Sequence, residues 1–184
     1  MLIDVPEEIN YVASRDQVLI ECSQGALLSL ALSYDYPHVT SDDVTTTAAM
    51  ADVGLDWRNL NRVVMCVKSM PTRESAGPMG ADEISEEDLK KNPTLYEDSS
   101  IDGGKRRKIK GIDFKRLAYA SMLNGPTDIA LTFLDHYDPE ITNTRNASQI
   151  TEKVSGLIKK VEDTTKSRVS FLETGKVYNS IINL

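Results

Sequence analysis

The chain has 184 residues, with 28 acidic and 21 basic side chains and a net charge of −7. This length suffices for one domain, here residues 1–184, with a buried core, while the acidic balance argues against bulk binding to nucleic acid or an anionic membrane surface. Two histidines, His38 and His136, exclude a three-histidine metal site, and no apolar stretch approaches the ~20 residues of a membrane span.

In chain order, residues 1–11 carry Asp4, Glu7 and Glu8 with no basic start and no long apolar run, unlike a secretory signal, so a cytoplasmic location is expected. Gln17–Cys22 (QVLIEC) is the first of four short apolar runs that predict strands. The others are Val63–Ser69, Asp128–Asp135 and Arg168–Thr174. None alternates strictly, which predicts strands covered on both faces. Cys22 and Cys66 lie within these runs and read as small core residues of a reducing compartment.

Helical patterns lie between the strands. Gln24–Ser33 is a weak one. Val44–Val53 is rich in Thr and Ala and stops at Gly54. Phe114–Leu123 has Asp113 as its cap and Asn124-Gly125-Pro126 as its stop. Ile150, Val154, Leu157, Ile158 and Val161 form one apolar helical stripe, with Ser148 as the expected N-cap. Strand followed by helix, repeated, predicts an α/β fold with a mainly parallel sheet and flanking helices. Residues 71–104 interrupt the pattern with glycines, prolines and an acidic run. That segment is too long for a plain connector, so it reads as a binding or mobile loop region. Ser85–Lys91 suggests a short capped helix within it.

In open parallel sheets, ligands bind at the carboxyl ends of the strands. Gln24, after the first run, offers a donor and an acceptor suited to a nucleobase edge; the plain alternative is a solvated turn. Thr40 and Ser41 precede a helix, where hydroxyls suit a phosphate, although Asp42 and Asp43 oppose it; the alternative is a simple cap. Arg73 is one Arg after the second run. Gly103-Gly104 leads into Lys105–Lys110, where five of six residues are basic. This run suits phosphate or carboxylate recognition through Arg forks, or else is a solvated basic loop. Asp135 ends the third run, where a carboxylate can take two hydrogen bonds from guanine and reject adenine; the alternative is a capping Asp. Thr174-Gly175-Lys176 makes a small turn after the fourth run. No Walker-type loop, G-x-G-x-x-G or complete catalytic set occurs.

These motifs, in order, are Glu21-Cys22-Ser23-Gln24-Gly25, Tyr36-Pro37-His38-Val39-Thr40-Ser41, Pro71-Thr72-Arg73, Gly104-Lys105-Arg106-Arg107, Leu131–Asp135 and Glu173-Thr174-Gly175. The series resembles the adenylosuccinate synthetase family, especially its shorter archaeal form, from about Val18 to Leu184. The family ligates aspartate to IMP using GTP and magnesium. The resemblance implies that Gln24 contacts the IMP base and Thr40 its phosphate. It puts Arg107 at the IMP ribose and the GTP side, and Lys105 and Arg106 at aspartate. Asp135 would read guanine, with Thr174, Gly175 and Lys176 lining that pocket.

The family's G-D-E-G-K-G-K loop is not found in the chain. The resemblance therefore implies a C-terminal portion, with the catalytic residues and magnesium ligands on the other portion, and a homodimer or split-subunit partner. The chain also departs from the family pattern. Lys105 replaces an Arg, Asp102 adds a negative charge, Glu74 replaces a Val, Phe133 replaces a Lys and Lys176 replaces a Pro. The altered aspartate loop keeps open a variant synthetase acting on another purine nucleotide, such as dGMP. Phage relatives that use ATP lack the guanine-reading Asp, so Asp135 favours GTP. A non-catalytic nucleotide-binding or oligomerisation module is the further alternative.

Overall fold

The structure is a computed structural model. It describes residues 4–74, 76–79, 82–91, 95, 100, 101, 104, 105 and 107–184, with only the backbone of 100, 101, 104 and 105. The expected sites Arg106, Asp102 and Gly103 lie outside the described residues, as does the side chain of Lys105.

Three of the four apolar runs form adjacent parallel strands: β1 (Val64–Lys68), β6 (Asp128–Thr132) and β7 (Arg168–Glu173). A short β8 (Ile181–Asn183), unmarked in the sequence reading, pairs antiparallel to β7, giving the sheet order β1-β6-β7-β8. The register aligns Val67 with Leu131 and Leu131 with Leu172. These side chains share one face with Ile129, Val169 and Ile182 and are buried.

Helices α4 (Phe114–Asn124) and α6 (Glu152–Thr165) cover that face through Leu117, Val154, Leu157 and Val161. Asp113 caps α4 as expected, and Gly125 ends it at φ 54°. The cap of α6 is Thr151, not Ser148. The Thr151 hydroxyl accepts from the Val154 N–H, while Ser148 sits in a separate 3-10 turn capped by Asn146. At the amino end of β6, Asp128 accepts from Arg62, Thr127 and Ser170, which holds its pKa well below the ordinary carboxylate value.

Gln17–Cys22 is not a strand. It is an irregular segment with Leu19 90% exposed. A strand needs a hydrogen-bonding neighbour, and the described sheet ends at β1. Both cysteines are exposed rather than in the core, because Cys22 lies in this segment and Cys66 on the open face of edge strand β1. The expected cover on both faces is therefore found on one face only. Gln24–Ser33 contains only a 3-10 turn, Ala26–Leu28.

Helix α1 (Val5–Ala13) is tied to the region after α2 (Thr46–Val53) by Asn10. Its amide donates to Gly54 O and accepts from Asp56 N. Gly54 takes φ 67° at the end of α2, as its position in the sequence predicts. Within the 71–110 region, β2 (Thr72–Arg73) pairs with β5 (Arg107–Lys108), and β3 (Ser100–Ile101) pairs with β4 (Gly104–Lys105). A helix α3 (Glu86–Lys91) follows Ser85, whose hydroxyl accepts from the Asp88 N–H. Among the described residues, no helix is long and apolar enough to cross a membrane.

Candidate functional site

The first part of the site is made by folding one loop against another. Thr40 N–H donates to Leu28 O at 2.8 Å, and Leu30 N–H to Asp42 O at 3.0 Å. The Ser29 hydroxyl, fully buried, accepts from Val44 N–H. These bonds bring Gln24 and Thr40 into one open cleft of about 360 Å³, which also holds Ile20, Ser41 and Ala49. Gln24 sits at φ 63°, a conformation uncommon outside Gly, Asn and Asp. Among the described residues no hydrogen bond takes up the side chains of Gln24 or Thr40, so both remain available to a ligand.

The cleft is acidic, with Glu21, Asp42, Asp43 and Asp52 on its lining. Asp43 accepts from Ala31 N–H and Asp42 from Asp43 N–H. At the start of α2, beside the expected phosphate position, two N–H groups are already engaged, Thr46 by Asn124 Oδ1 and Ala48 by the Thr45 hydroxyl. A phosphate beside Thr40 therefore needs positive charge from outside this lining.

Behind the loop lies a charged cluster that sequence reasoning missed. Asp35, 5% exposed, accepts from Arg116 at 2.7 and 3.0 Å and from Arg73 at 3.1 Å. Burial raises its pKa, but the hydrogen bonds from Arg116 and Arg73 outweigh that and leave it below the usual carboxylate value. Arg73 also donates to the carbonyls of Pro78 and His38. It holds the Tyr36–Thr40 loop in place instead of standing open for an anion. Asp35 and Arg116 are 81 positions apart, and no local motif joins them.

Arg107 faces the same region from β5. Its guanidinium forks onto Glu83 at 2.7 and 2.6 Å and donates to Gly77 O at 2.9 Å. The pair raises the Arg107 pKa and lowers that of Glu83. Gly77, at φ 114°, lies so close to His38 that a Cβ there would stand 2.6 Å from the His38 side chain. Arg107 thus backs the Thr40 loop through Gly77, and Glu83 holds the fork that an incoming anion needs. Lys108, counted in the basic run, is fully buried with Nζ 3.5 Å from His136 Nδ1. The run is therefore not one continuous basic face.

The second part of the site lies at the carboxyl ends of β6 and β7. Phe133 takes φ 57°, an outlier for a bulky residue. Its N–H donates to Glu173 and its carbonyl accepts from Ser69, while the Lys68 ammonium lies 4.6 Å from its ring centre. This turn starts helix α5 (Leu134–Tyr137) and places Asp135 in its first residues, half-buried. Among the described residues no hydrogen bond or ion pair engages the Asp135 carboxylate.

Thr174 is fully buried and donates to Thr144 O at 2.7 Å, so its hydroxyl shapes the turn instead of facing a ligand. Gly175 packs under Asn143, where a Cβ would come within 2.3 Å of Oδ1. Lys176 is exposed on the same turn. Asp135 and residues 174–176 stand at neighbouring strand ends, with Asn143 as a packing partner that the sequence did not reveal.

The adenylosuccinate synthetase family model matches residues 1–141. The chain belongs to the adenylosuccinate synthetase family. The match starts upstream of Val18, so it includes α1. The adenylosuccinate synthetase of Methanocaldococcus jannaschii is 37% identical over 98% of this chain and 52% of its own length. That of Archaeoglobus fulgidus is 36% identical over 100% and 53%. The chain spans about half the length of the curated relatives it matches.

Among solved structures, the fully ligated adenylosuccinate synthetase of Plasmodium falciparum superposes with a TM-score of 0.86 at 21% identity, over all of this chain and 54% of its own. A cyanophage S-2L succinoaminodeoxyadenylate synthetase, bound to dGMP and dATP, gives 0.74 at 19% identity, over 97% of this chain and 49% of its own. Both share the fold, a mainly parallel sheet with flanking helices.

Proposed function

We propose that this chain supplies the purine-nucleotide-binding half of an adenylosuccinate synthetase, an enzyme that uses GTP to join aspartate to IMP. The observation that carries this reading is the selective availability of side chains. Gln24 and Thr40 share one cleft with unengaged polar groups, and Asp135 stands unengaged at a strand end, while neighbouring polar side chains are tied into the fold. Gln24 reads the IMP base, Thr40 meets its phosphate, and Asp135 pairs with guanine. Gly175 and Lys176 line the guanine side, with Thr174 fixing the turn. Arg107 turns from Glu83 to the nucleotide, and Lys105 and Arg106 serve aspartate. The acidic lining of the cleft supports a phosphate-neutralising charge that comes from beyond it, from Arg107 and the remaining half of the enzyme.

Among the described residues no group of three His, Cys, Asp or Glu side chains forms a metal site, so no step is assigned to Mg2+ on this chain. Lys105 and Asp102 in the aspartate loop favour testing a second acceptor, dGMP, beside IMP. The test is calorimetric titration of IMP, dGMP, GTP and ATP into the chain joined to the portion of the M. jannaschii enzyme that it does not match. IMP and GTP binding, each weakened by Gln24→Ala and Asp135→Asn respectively, supports the reading. Absence of all nucleotide binding by a folded protein refutes it, and dGMP in preference to IMP changes the acceptor.

A further inference from the structure

Two buried polar side chains take no part in the proposed nucleotide contacts. Lys108 of β5 is fully buried, and His136 of α5 is 6% exposed. Lys108 Nζ lies 3.5 Å from His136 Nδ1, within hydrogen-bonding reach. A buried ammonium needs acceptors, and it can only donate. The ring therefore meets it with the Nδ1 lone pair and carries its proton on Nε2. The contact joins residues 28 positions apart, whose chain neighbours include Arg107 on one side and Asp135 on the other. Backbone bonds hold the Lys108 end in place. Ile84 N–H donates to Lys108 O, and Ile109 N–H donates to Pro71 O.

Helix α5 is a single turn and starts at Phe133 without a side-chain cap bond. Its ends are tied through the backbone. Phe133 N–H donates to Glu173, and Tyr137 O accepts from Lys153 Nζ. Consecutive helical residues stand ~100° apart around the axis, so Leu134 and His136 flank Asp135. Leu134 packs in the apolar core, and such a contact has no direction. His136 makes the directional one, with its ring also 5.1 Å from the Phe133 ring. We infer that Lys108, acting through His136, fixes the rotation of α5 and so aims the Asp135 carboxylate at guanine. Both are positioning residues, and neither touches the nucleotide. The inference rests on the proposed role of Asp135 and adds what gives that residue its selectivity. Two hydrogen bonds to one base edge need the carboxylate held within about 10–20°. The Lys108–His136 contact supplies that orientation from the β2–β5 ladder, outside the main sheet.

Calorimetry of GTP, ATP and IMP with the fused protein tests this. Lys108→Met removes the donor and keeps an apolar stem. His136→Leu removes the acceptor, while His136→Asn puts a side-chain oxygen at the Nδ1 position. Lys108→Met and His136→Leu each lower the preference for GTP over ATP by at least about fivefold, the worth of one hydrogen bond. His136→Asn keeps that preference, and IMP affinity stays within about twofold in all three. An unchanged preference in folded Lys108→Met overturns the inference. So does equal weakening of GTP, ATP and IMP, which reduces the pair to a part of the fold. NMR of the His136 ring nitrogens in the chain itself reads the contact without nucleotide. A fixed Nε2–H tautomer supports it, and a ring that exchanges tautomers freely overturns it. A wild-type fusion that binds no nucleotide rejects the proposed function and this role together. Nucleotide binding whose GTP preference survives Lys108→Met rejects the inference alone.

Discussion

The Asp35 cluster and the Gln24–Thr40 cleft sit on the two sides of one loop and treat their polar groups in opposite ways. Around Asp35 each charged group is held by another: two guanidiniums on one carboxylate, with backbone carbonyls taking further donors. In the cleft, the amide of Gln24 and the hydroxyl of Thr40 are left open. The strand ends repeat the contrast, with Thr174 committed and Asp135 open. On the proposed reading, the open groups meet a ligand directly and the engaged ones hold the site's shape, with Arg107 changing partner when nucleotide binds. Residue type alone does not make that separation, since Arg73 and Arg107 resemble anion ligands by sequence yet are engaged within the fold.

Substitutions on the two sides should therefore diverge. The largest effect is expected for Asp35→Ala, which leaves the buried Arg73 and half-buried Arg116 guanidiniums without their carboxylate and costs about 3–5 kcal/mol in urea unfolding. A change below about 1 kcal/mol would show that the cluster is not structural. The same group sets an acid dependence. Its folded pKa lies below the ordinary carboxylate value of 3.8, so its stabilisation is present above that value and is lost as pH falls through the folded pKa. Asp35→Asn should flatten this part of the stability profile. Asp135→Asn comes next, with opposite character. GTP binding weakens by about 10–100-fold relative to ATP, while stability changes by less than about 0.5 kcal/mol. Loss of stability with an unchanged nucleotide preference would move Asp135 to the structural side.

Smaller effects sharpen the boundary. Gly175→Ala pushes on Asn143 Oδ1, which also accepts from Ser180, and should cost about 1 kcal/mol, the worth of that hydrogen bond. Thermal unfolding measures it, and an unchanged midpoint would show that Asn143 moves aside freely. Glu83→Gln is the mildest. The Glu83–Arg107 pair is partly exposed and contributes under about 1 kcal/mol. Releasing the fork should leave stability nearly unchanged and tighten nucleotide binding a few-fold in calorimetry. Weaker binding would show that Glu83 orients Arg107 for the ligand.

Much of the frame was legible because its causes are local. Val63–Ser69, Asp128–Asp135 and Arg168–Thr174 are apolar runs bounded by turn residues, and Asp113, Gly54 and Gly125 act within a few positions of themselves. Gln17–Cys22 has the same composition but no strand beside it, and pairing is a property of two segments. Three-residue β8 was too short to show a period. Thr151 displaced Ser148 as a cap because its hydroxyl also reaches Asp138, tying the helix start to the preceding turn. In the candidate site, the ordered motifs pointed to Gln24, Thr40, Asp135 and the 174–176 turn. They could not show that Thr174 is spent on Thr144, that Glu83 holds Arg107, or that Asp35 gathers Arg73 and Arg116, since those contacts join residues 24 to 81 positions apart.

The central claim is that the open side chains of Gln24, Thr40 and Asp135 meet the nucleotides. Titration of IMP into the fused protein, compared between wild type and Gln24→Ala, tests it most directly. The account predicts saturable IMP binding that weakens by about tenfold in the variant with no change in unfolding midpoint. IMP affinity identical in the two proteins would contradict it.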